Sequence, residues 1–194
     1  MPKIGGKSLV ASMVQFSSSI PWRSLVASMV LLDSHDTARM RTVVNGDKKA
    51  HLSAMTAMLT YPGVPSIFAG DEIGLEGSWG EDSRRTINWE DRSGWDHDFL
   101  AEAKKLIELR RTQDGLIEGG LRWVAVEDNF ICYLRESEKQ SVLVFISRKA
   151  VRTEIDLADY GYKVSKTLYG PEATGGSIKI DADGATQGIW EVKS

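Results

Sequence analysis

Two stretches of this chain run from apolar residues into carboxylates: Leu31-Leu32-Asp33-Ser34-His35-Asp36-Thr37 and Ile67-Phe68-Ala69-Gly70-Asp71-Glu72. A buried strand that stops on His-Asp is unusual. In parallel α/β sheets ligands bind beyond the carboxyl ends of the strands, and in a βα barrel the chemistry gathers at that face. His35 and Asp36 are therefore candidate site residues. The plainer alternative is that Asp36 caps the following helix and His35 packs beside it. Asp71 and Glu72 have three open roles: binding ligand hydroxyls, tying down the loop, or pairing with a nearby arginine. Gly70 before them relieves crowding where the chain turns.

Ser34-His35-Asp36 is not a hydrolase triad. Successive residues of an extended segment point to opposite faces, and triads are assembled from separate segments by geometry. A third constellation follows in Trp79-Gly80-Glu81-Asp82-Ser83-Arg84-Arg85-Thr86-Ile87-Asn88-Trp89. Sugars offer hydroxyls in the ring plane and C–H faces above it. Trp79, Trp89 and Trp95, with Asp82 and Arg84, supply flat surfaces beside charged hydrogen-bonding groups. The alternative is that these tryptophans form a small core under the loop, since Trp is often buried with only its N–H satisfied.

The elements that must carry these residues alternate. Ser19-Ile20-Pro21-Trp22 reads as a helix entry with a Ser cap and an early Pro, leading to a short helix through Ser28. Met29–Leu32 reads as a buried strand of the kind found in parallel sheets. Asp47–Thr60 has apolar residues at helical spacing and stops at the breaker pair Pro62-Gly63. Val64–Ala69 is a second buried strand. The segment from Gly70 to Asp98 has little periodicity, and loops of that length are usually functional. Asp98–Arg111 is an amphipathic helix with Arg110 and Arg111 suited to its C-terminal dipole. From Leu121 on, seven short strands recur roughly every ten residues with turn signals such as Asp183-Gly184, the pattern of an antiparallel sandwich. They are expected at Leu121–Val126, Asn129–Arg135, Ser141–Ile146, Arg152–Leu157, Lys163–Leu168, Ser177–Ile180 and Gly188–Val192. The predicted architecture is α/β plus all-β, with residues 1–118 in strand–helix units and 119–194 in the β-sandwich. The heptapeptide Ser-Leu-Val-Ala-Ser-Met-Val occurs twice, at 8–14 and 24–30, and reads as two similar apolar helix faces.

Composition narrows the function classes. A formal net charge of −3 and a pI near 5.7 give no basic footprint, so no nucleic-acid partner is expected. The single cysteine, Cys132, excludes an internal disulfide framework and a Cys-based zinc site. Its apolar neighbours make it a small core residue. No apolar run reaches the ~20 residues of a membrane span, so no membrane partner is expected. The start of the chain lacks a clear signal-peptide pattern, and a cytoplasmic location is expected. No metal site and no cofactor are predicted.

In this order and spacing the motifs resemble the α-amylase family of glycosidases, and its neopullulanase- and cyclomaltodextrinase-like members in particular. Ser34-His35-Asp36-Thr37 resembles the segment after the seventh barrel strand, although the family usually has Asn where this chain has Ser34. Pro62-Gly63-Val64-Pro65-Ser66-Ile67-Phe68-Ala69-Gly70-Asp71-Glu72 is similar to the eighth-strand segment. Asp82-Ser83-Arg84-Arg85 with Trp89 is similar to the loop that follows. The resemblance, which extends from about Ile20 to the end, implies the last strand–helix units of a (β/α)8 barrel followed by an antiparallel β-sandwich. It implies a retaining glycosidase acting on α-glucans or maltooligosaccharides. Asp36 would be the transition-state-stabilising carboxylate, His35 a sugar-hydroxyl ligand, and Arg84 and Asp82 contacts to the glucosyl unit on the non-reducing side. The family's nucleophile Asp and acid/base Glu belong to earlier strands. Residues 1–28 contain no Asp, Glu, His or Cys that would replace them, so the chain by itself is expected to be inactive. Two other readings stand beside this one: a non-catalytic carbohydrate-binding protein, and one part of a split enzyme completed by a complementing barrel fragment. Two strands of a closed eight-stranded sheet leave open edges, so the strand–helix part is expected to be weak alone and the sandwich to be capable of folding by itself.

Overall fold

A computed structural model describes residues 4–194 of the chain. The strand–helix part begins with helices α1 (Gly6–Ser18) and α2 (Trp22–Val26). Pro21, not Ser19, occupies the N-cap of α2. Its missing N–H costs nothing there, because a helix start has unpaired donors anyway. Strand β1 (Met29–Val30) pairs in parallel with β2 (Val64–Pro65), Met29 opposite Val64 and Val30 opposite Pro65. Both strands are shorter than their apolar runs suggested. Gly63 lies at φ 134°, and a Cβ there would come within 2.4 Å of Val30 Cγ2, so the close parallel contact requires glycine at this position.

Between the strands lie α3 (Met40–Val43) and α4 (Lys48–Thr60). Asp47 caps α4 by accepting from the Ala50 amide at 3.1 Å. After the long loop comes α5 (His97–Thr112), capped by Asp96 accepting from the Phe99 amide at 3.2 Å, and then α6 (Asp114–Glu118). Among the described residues no helix is long and apolar enough to cross a membrane.

The remaining strands are β3 (Gly120–Val126), β4 (Phe130–Glu136), β5 (Ser141–Ser147), β6 (Val151–Asp156), β7 (Lys163–Tyr169), β8 (Ser177–Ala182) and β9 (Thr186–Lys193). All seven lie within two residues of their predicted ends. They form a five-stranded antiparallel sheet in the order β3-β4-β5-β9-β7 and a β6-β8 pair. The large sheet is buried on both faces. Ile131, Tyr133, Val142, Val144, Ile146 and Ile189 face α4, α5 and α6 in a core shared with Met55, Phe99, Leu106 and Leu116. Cys132, Leu134, Leu143, Phe145 and Trp190 point the other way, against Ile155, Ile178 and Ile180 of the β6-β8 pair. The two-residue side-chain period of strands sorts each run cleanly between the two cores. This also explains why β5 reads as a continuous apolar stretch although it is antiparallel. The large sheet thus shares one core with the helices.

Two arginines lock this junction. Arg135 is buried and donates to the carbonyls of Thr60 (2.5 Å), Gly119 (2.8 Å) and Gly120 (3.2 Å). Arg110 donates to those of Tyr61, Leu116 and Gly63. These carbonyls include the ends of α4 and α6, where the helix macrodipole is negative, so the two cations are balanced by backbone and not by carboxylates. Burial pushes the Arg135 guanidinium down to about 10.

The duplicated heptapeptide adopts two structures. Residues 8–14 lie wholly within α1, whereas residues 24–30 leave α2 at Val26, turn, and end as β1. It does not form two similar helix faces.

Candidate functional site

The first site segment is a tight turn at the end of β1. The Ser34 amide donates to Thr37 Oγ1 at 3.0 Å, the Thr37 amide to the Ser34 carbonyl at 3.1 Å, and the Asp36 amide to Ser34 Oγ at 3.3 Å. Local side-chain bonds of this kind replace ladder bonds at turns. They give Ser34 a definite role, which is to hold the turn that presents the next two residues. The side chains of His35 and Asp36 emerge 61% and 68% exposed, with His35 Nε2 3.3 Å from Asp36 Oδ1. Asp36 caps no helix. The capping role falls to Asp33, whose Oδ2 accepts from the Met40 amide at the start of α3.

The second segment is the 3₁₀ turn Gly80–Arg84 in the long loop. Ser83 is fully buried, and its one hydroxyl hydrogen is shared between the Gly80 carbonyl at 2.7 Å and the His35 carbonyl at 3.0 Å. Arg84 donates from Nε to the same carbonyl at 3.2 Å and from a terminal nitrogen to Asp36 Oδ1 at 3.3 Å. Arg84, 48 residues from Asp36, thus joins the adjacent His35 and Asp36 in one cluster. Asp82 is directed elsewhere. It accepts from the Ser78 amide (2.6 Å) and hydroxyl (2.7 Å) and from Arg85 (2.7 Å). The Ser78 hydroxyl and amide, and then Arg85, hold its carboxyl down at about 2, so it is an anionic clip across its own loop.

A cleft of about 440 Å³ opens beside the cluster, lined by His35, Arg39, Phe68, Arg84, Thr86 and Trp89 among others. Trp79 and Trp89 are 68% and 60% exposed. Trp95 meets Trp89 edge-on at 5.5 Å. Of the three tryptophans only Trp89 lines the cleft, so neither a buried core nor a three-sided platform describes them. The exposed Asp36–Arg84 pair adds little stability in water. What it supplies is a fixed carboxylate at the rim, flanked by an imidazole and a guanidinium.

Asp71 and Glu72 take the two non-ligand roles. Glu72 accepts from the Gly70 amide at 2.8 Å, where Gly70 sits at φ 106°. Asp71 is buried and paired with Arg39 at 2.8 Å. Of the buried trio Asp33, Arg39 and Asp71 behind the cluster, the sequence singled out Asp71, with an arginine partner among its open roles, but neither Asp33 nor Arg39. A second cluster lies nearby, where Arg41 donates to His51 Nδ1 at 3.2 Å and to Asp96 at 3.1 Å, and His51 stacks on Phe99 at 4.4 Å. Burial, with help from Arg41, lowers His51 to about 4, so it is neutral and acts as an acceptor. Among the described residues no group of three or more His, Cys, Asp or Glu is placed to hold a metal ion.

Comparison with known proteins places this arrangement. The family described as alpha amylase, catalytic domain, matches residues 7–115. A cyclomaltodextrinase of Bacillus sp is 38% identical over 119 residues, covering 60% of this chain and 21% of that protein. An intracellular maltogenic amylase of Bacillus subtilis is 33% identical over 132 residues, covering 66% of this chain and 22% of that protein. The native form of the Nostoc punctiforme debranching enzyme superposes with a TM-score of 0.85 at 26% identity, covering 98% of this chain and 41% of that one. The chain therefore spans less than a quarter of the length of these two curated relatives.

Proposed function

The chain belongs to the α-amylase family, and from that premise we propose that it supplies the His35–Asp36 side of the cleavage site of a retaining α-glycosidase acting on α-glucosidic bonds in maltodextrin- or starch-like α-glucans. The observation that carries this reading is the contact of Asp36 with His35 and Arg84, both of which line one cleft. A retaining glycosidase passes through an oxocarbenium-like transition state. An exposed carboxylate held in place before the sugar arrives is suited to the distorted ring, because preorganised charge costs no reorganisation during reaction. In this proposal Asp36 stabilises that state, His35 bonds sugar hydroxyls, and Arg84 both orients Asp36 and contacts the glucosyl unit. Asp82 reaches the sugar only with lone pairs that Ser78 and Arg85 leave free, so its contact is secondary to its loop clip. Trp89 offers a flat face to a ring.

The nucleophile and the acid/base carboxylate, which must stand ~5–5.5 Å apart, come from outside these 194 residues, either in a longer polypeptide or in a complementing barrel fragment. We accordingly propose that this chain alone releases no sugar and that its place of action is cytoplasmic, as the intracellular relative supports. The test incubates the purified chain with starch, pullulan, maltotriose and cyclodextrin and assays reducing sugar. No release is expected, and turnover on any of the four refutes the proposed division of labour. A calorimetric titration with maltooligosaccharides examines the alternative, a carbohydrate-binding protein without catalysis, which requires millimolar or tighter binding by the chain alone.

A further inference from the structure

Arg39 is 1% exposed and every polar group it carries is engaged. Its Nε donates to the Ser83 carbonyl at 2.8 Å, one terminal nitrogen to Asp71 at 2.8 Å, and the other to the Ala69 carbonyl at 3.0 Å. Its guanidinium lies 4.0 Å over the Phe68 ring, and its own amide donates to the Gly77 carbonyl at 2.9 Å. One side chain thus joins the end of β2, the turn after it, and the loop that carries Arg84. Ser83, held from behind by Arg39, in turn bonds the His35 carbonyl.

We propose that Arg39 is a positioning residue: by gripping Ser83 and the end of β2 together it fixes the Gly77–Arg84 loop, and through Ser83 and Arg84 it sets His35 and Asp36, with the buried carboxyls of Asp33 and Asp71 as its counter-charge. The inference rests on the reading of His35 and Asp36 as the sugar-facing pair.

The charge count supports it. Two ionised carboxylates against one guanidinium leave a net buried negative charge, which is costly away from water. Asp33 Oδ1 has no donor while both carboxyls are ionised. A proton on Asp71 cures both faults, since it neutralises the trio and gives Asp33 a partner. Burial, and then the bond and charge of Asp33, raise Asp71 well above the ordinary carboxylate range against the opposing pull of Arg39. The groups facing Asp71 are Asp33 from the turn after β1 and Arg39 from the start of α3. Glu72, on its own turn, is bonded to the Gly70 amide, and Arg41 and Asp96 meet the chain at Gly74. Above the Asp71 transition the trio acquires its second negative charge and the loop loosens; below it the loop is tight.

The experiment follows backbone amide signals of the full chain by NMR as a function of pH, together with amide exchange. In the unmodified chain the signals of His35, Ser83 and Arg84 should titrate together at a pH well above the ordinary carboxylate range, and in Asp71→Asn that transition should vanish. In Arg39→Met, amides of the Gly77–Arg84 loop should exchange about tenfold faster, the worth of one lost buried bond, while those of β4 and β5 keep their protection. Arg39→Lys, which keeps the charge but cannot reach three acceptors, should fall between and also serves if the Met variant fails to fold. Unmoved His35 and Asp36 signals in the folded Arg39 variants, or a transition that persists in Asp71→Asn, would overturn the proposal. Turnover of maltotriose by a complete enzyme carrying this sequence separates the two claims. If the Arg39 effects appear in the chain but Asp36→Asn leaves that turnover unchanged, the functional reading falls and the positioning stands.

Discussion

At the scale of single residues, the site works by division of labour among carboxylates of one chemical type. Asp33 caps, Asp71 neutralises, Asp82 clips its loop, and Asp36 alone is presented to solvent beside a cleft. Asp36→Asn, made in a complete enzyme carrying this sequence, should lower turnover by about 10²–10³ with substrate binding largely kept, since a preorganised group aimed at transition-state charge is removed. Steady-state kinetics on maltotriose check this, and unchanged kcat would remove Asp36 from its role. His51 gives a second residue-scale prediction. Its folded-state value, about 4, lies below the ordinary imidazole value of 6.5, so the unfolded chain binds the extra proton first. Stability is then full above pH 6.5 and falls as pH drops from 6.5 towards 4, by at most about 1.4 kcal/mol per pH unit from this one group. His51→Asn, which keeps an acceptor for Arg41 but cannot titrate, should flatten that part of the profile in denaturant melts.

At the scale of elements, the two copies of Ser-Leu-Val-Ala-Ser-Met-Val provide an internal control. Leu9 is 41% exposed on α1, whereas its counterpart Leu25 is 3% exposed on α2. Truncating a buried Leu costs about 2–5 kcal/mol through lost transfer energy and a residual cavity, while surface changes usually stay within about 0.5 kcal/mol. Leu25→Ala should therefore lower the midpoint of chemical denaturation sharply and Leu9→Ala barely at all, although the neighbouring six residues are the same. Equal losses would contradict the placement of the two segments.

At the scale of the whole molecule, the strand–helix part and the sandwich are joined by a shared core and by the carbonyl grips of Arg110 and Arg135. Calorimetry should show one transition covering α4 to β9, with calorimetric and van't Hoff enthalpies in agreement. Two separate transitions would mean that the junction contributes little. Arg135→Met should lower stability by about 2–4 kcal/mol despite removing a desolvated charge, because it leaves buried carbonyls of Thr60 and Gly119 without donors. Among the described residues the two-stranded β1–β2 sheet keeps open edges, with Met29 and Val64 exposed.

The sequence by itself determined the elements whose signals are local and repeated. The short, turn-punctuated strands β3 to β9 and the helical spacing of α4 and α5 each follow from local periodicity and turn residues. It also placed His35, Asp36 and Arg84 in one motif set. Only the tertiary structure decided which of the carboxylates would be buried together, that Asp82 would be spent on Ser78 and Arg85, and that the outer face of the sandwich sheet would be covered by helices. The heptapeptide shows the reason. Intrinsic preferences among ordinary residues differ by at most about 0.7 kcal/mol each, and over seven residues they can be reversed by burying one or two side chains at about 1.5–3 kcal/mol apiece. What lay beside Leu25, Val30 and Asp33 in space, and not their neighbours in the chain, set their conformation and their chemistry.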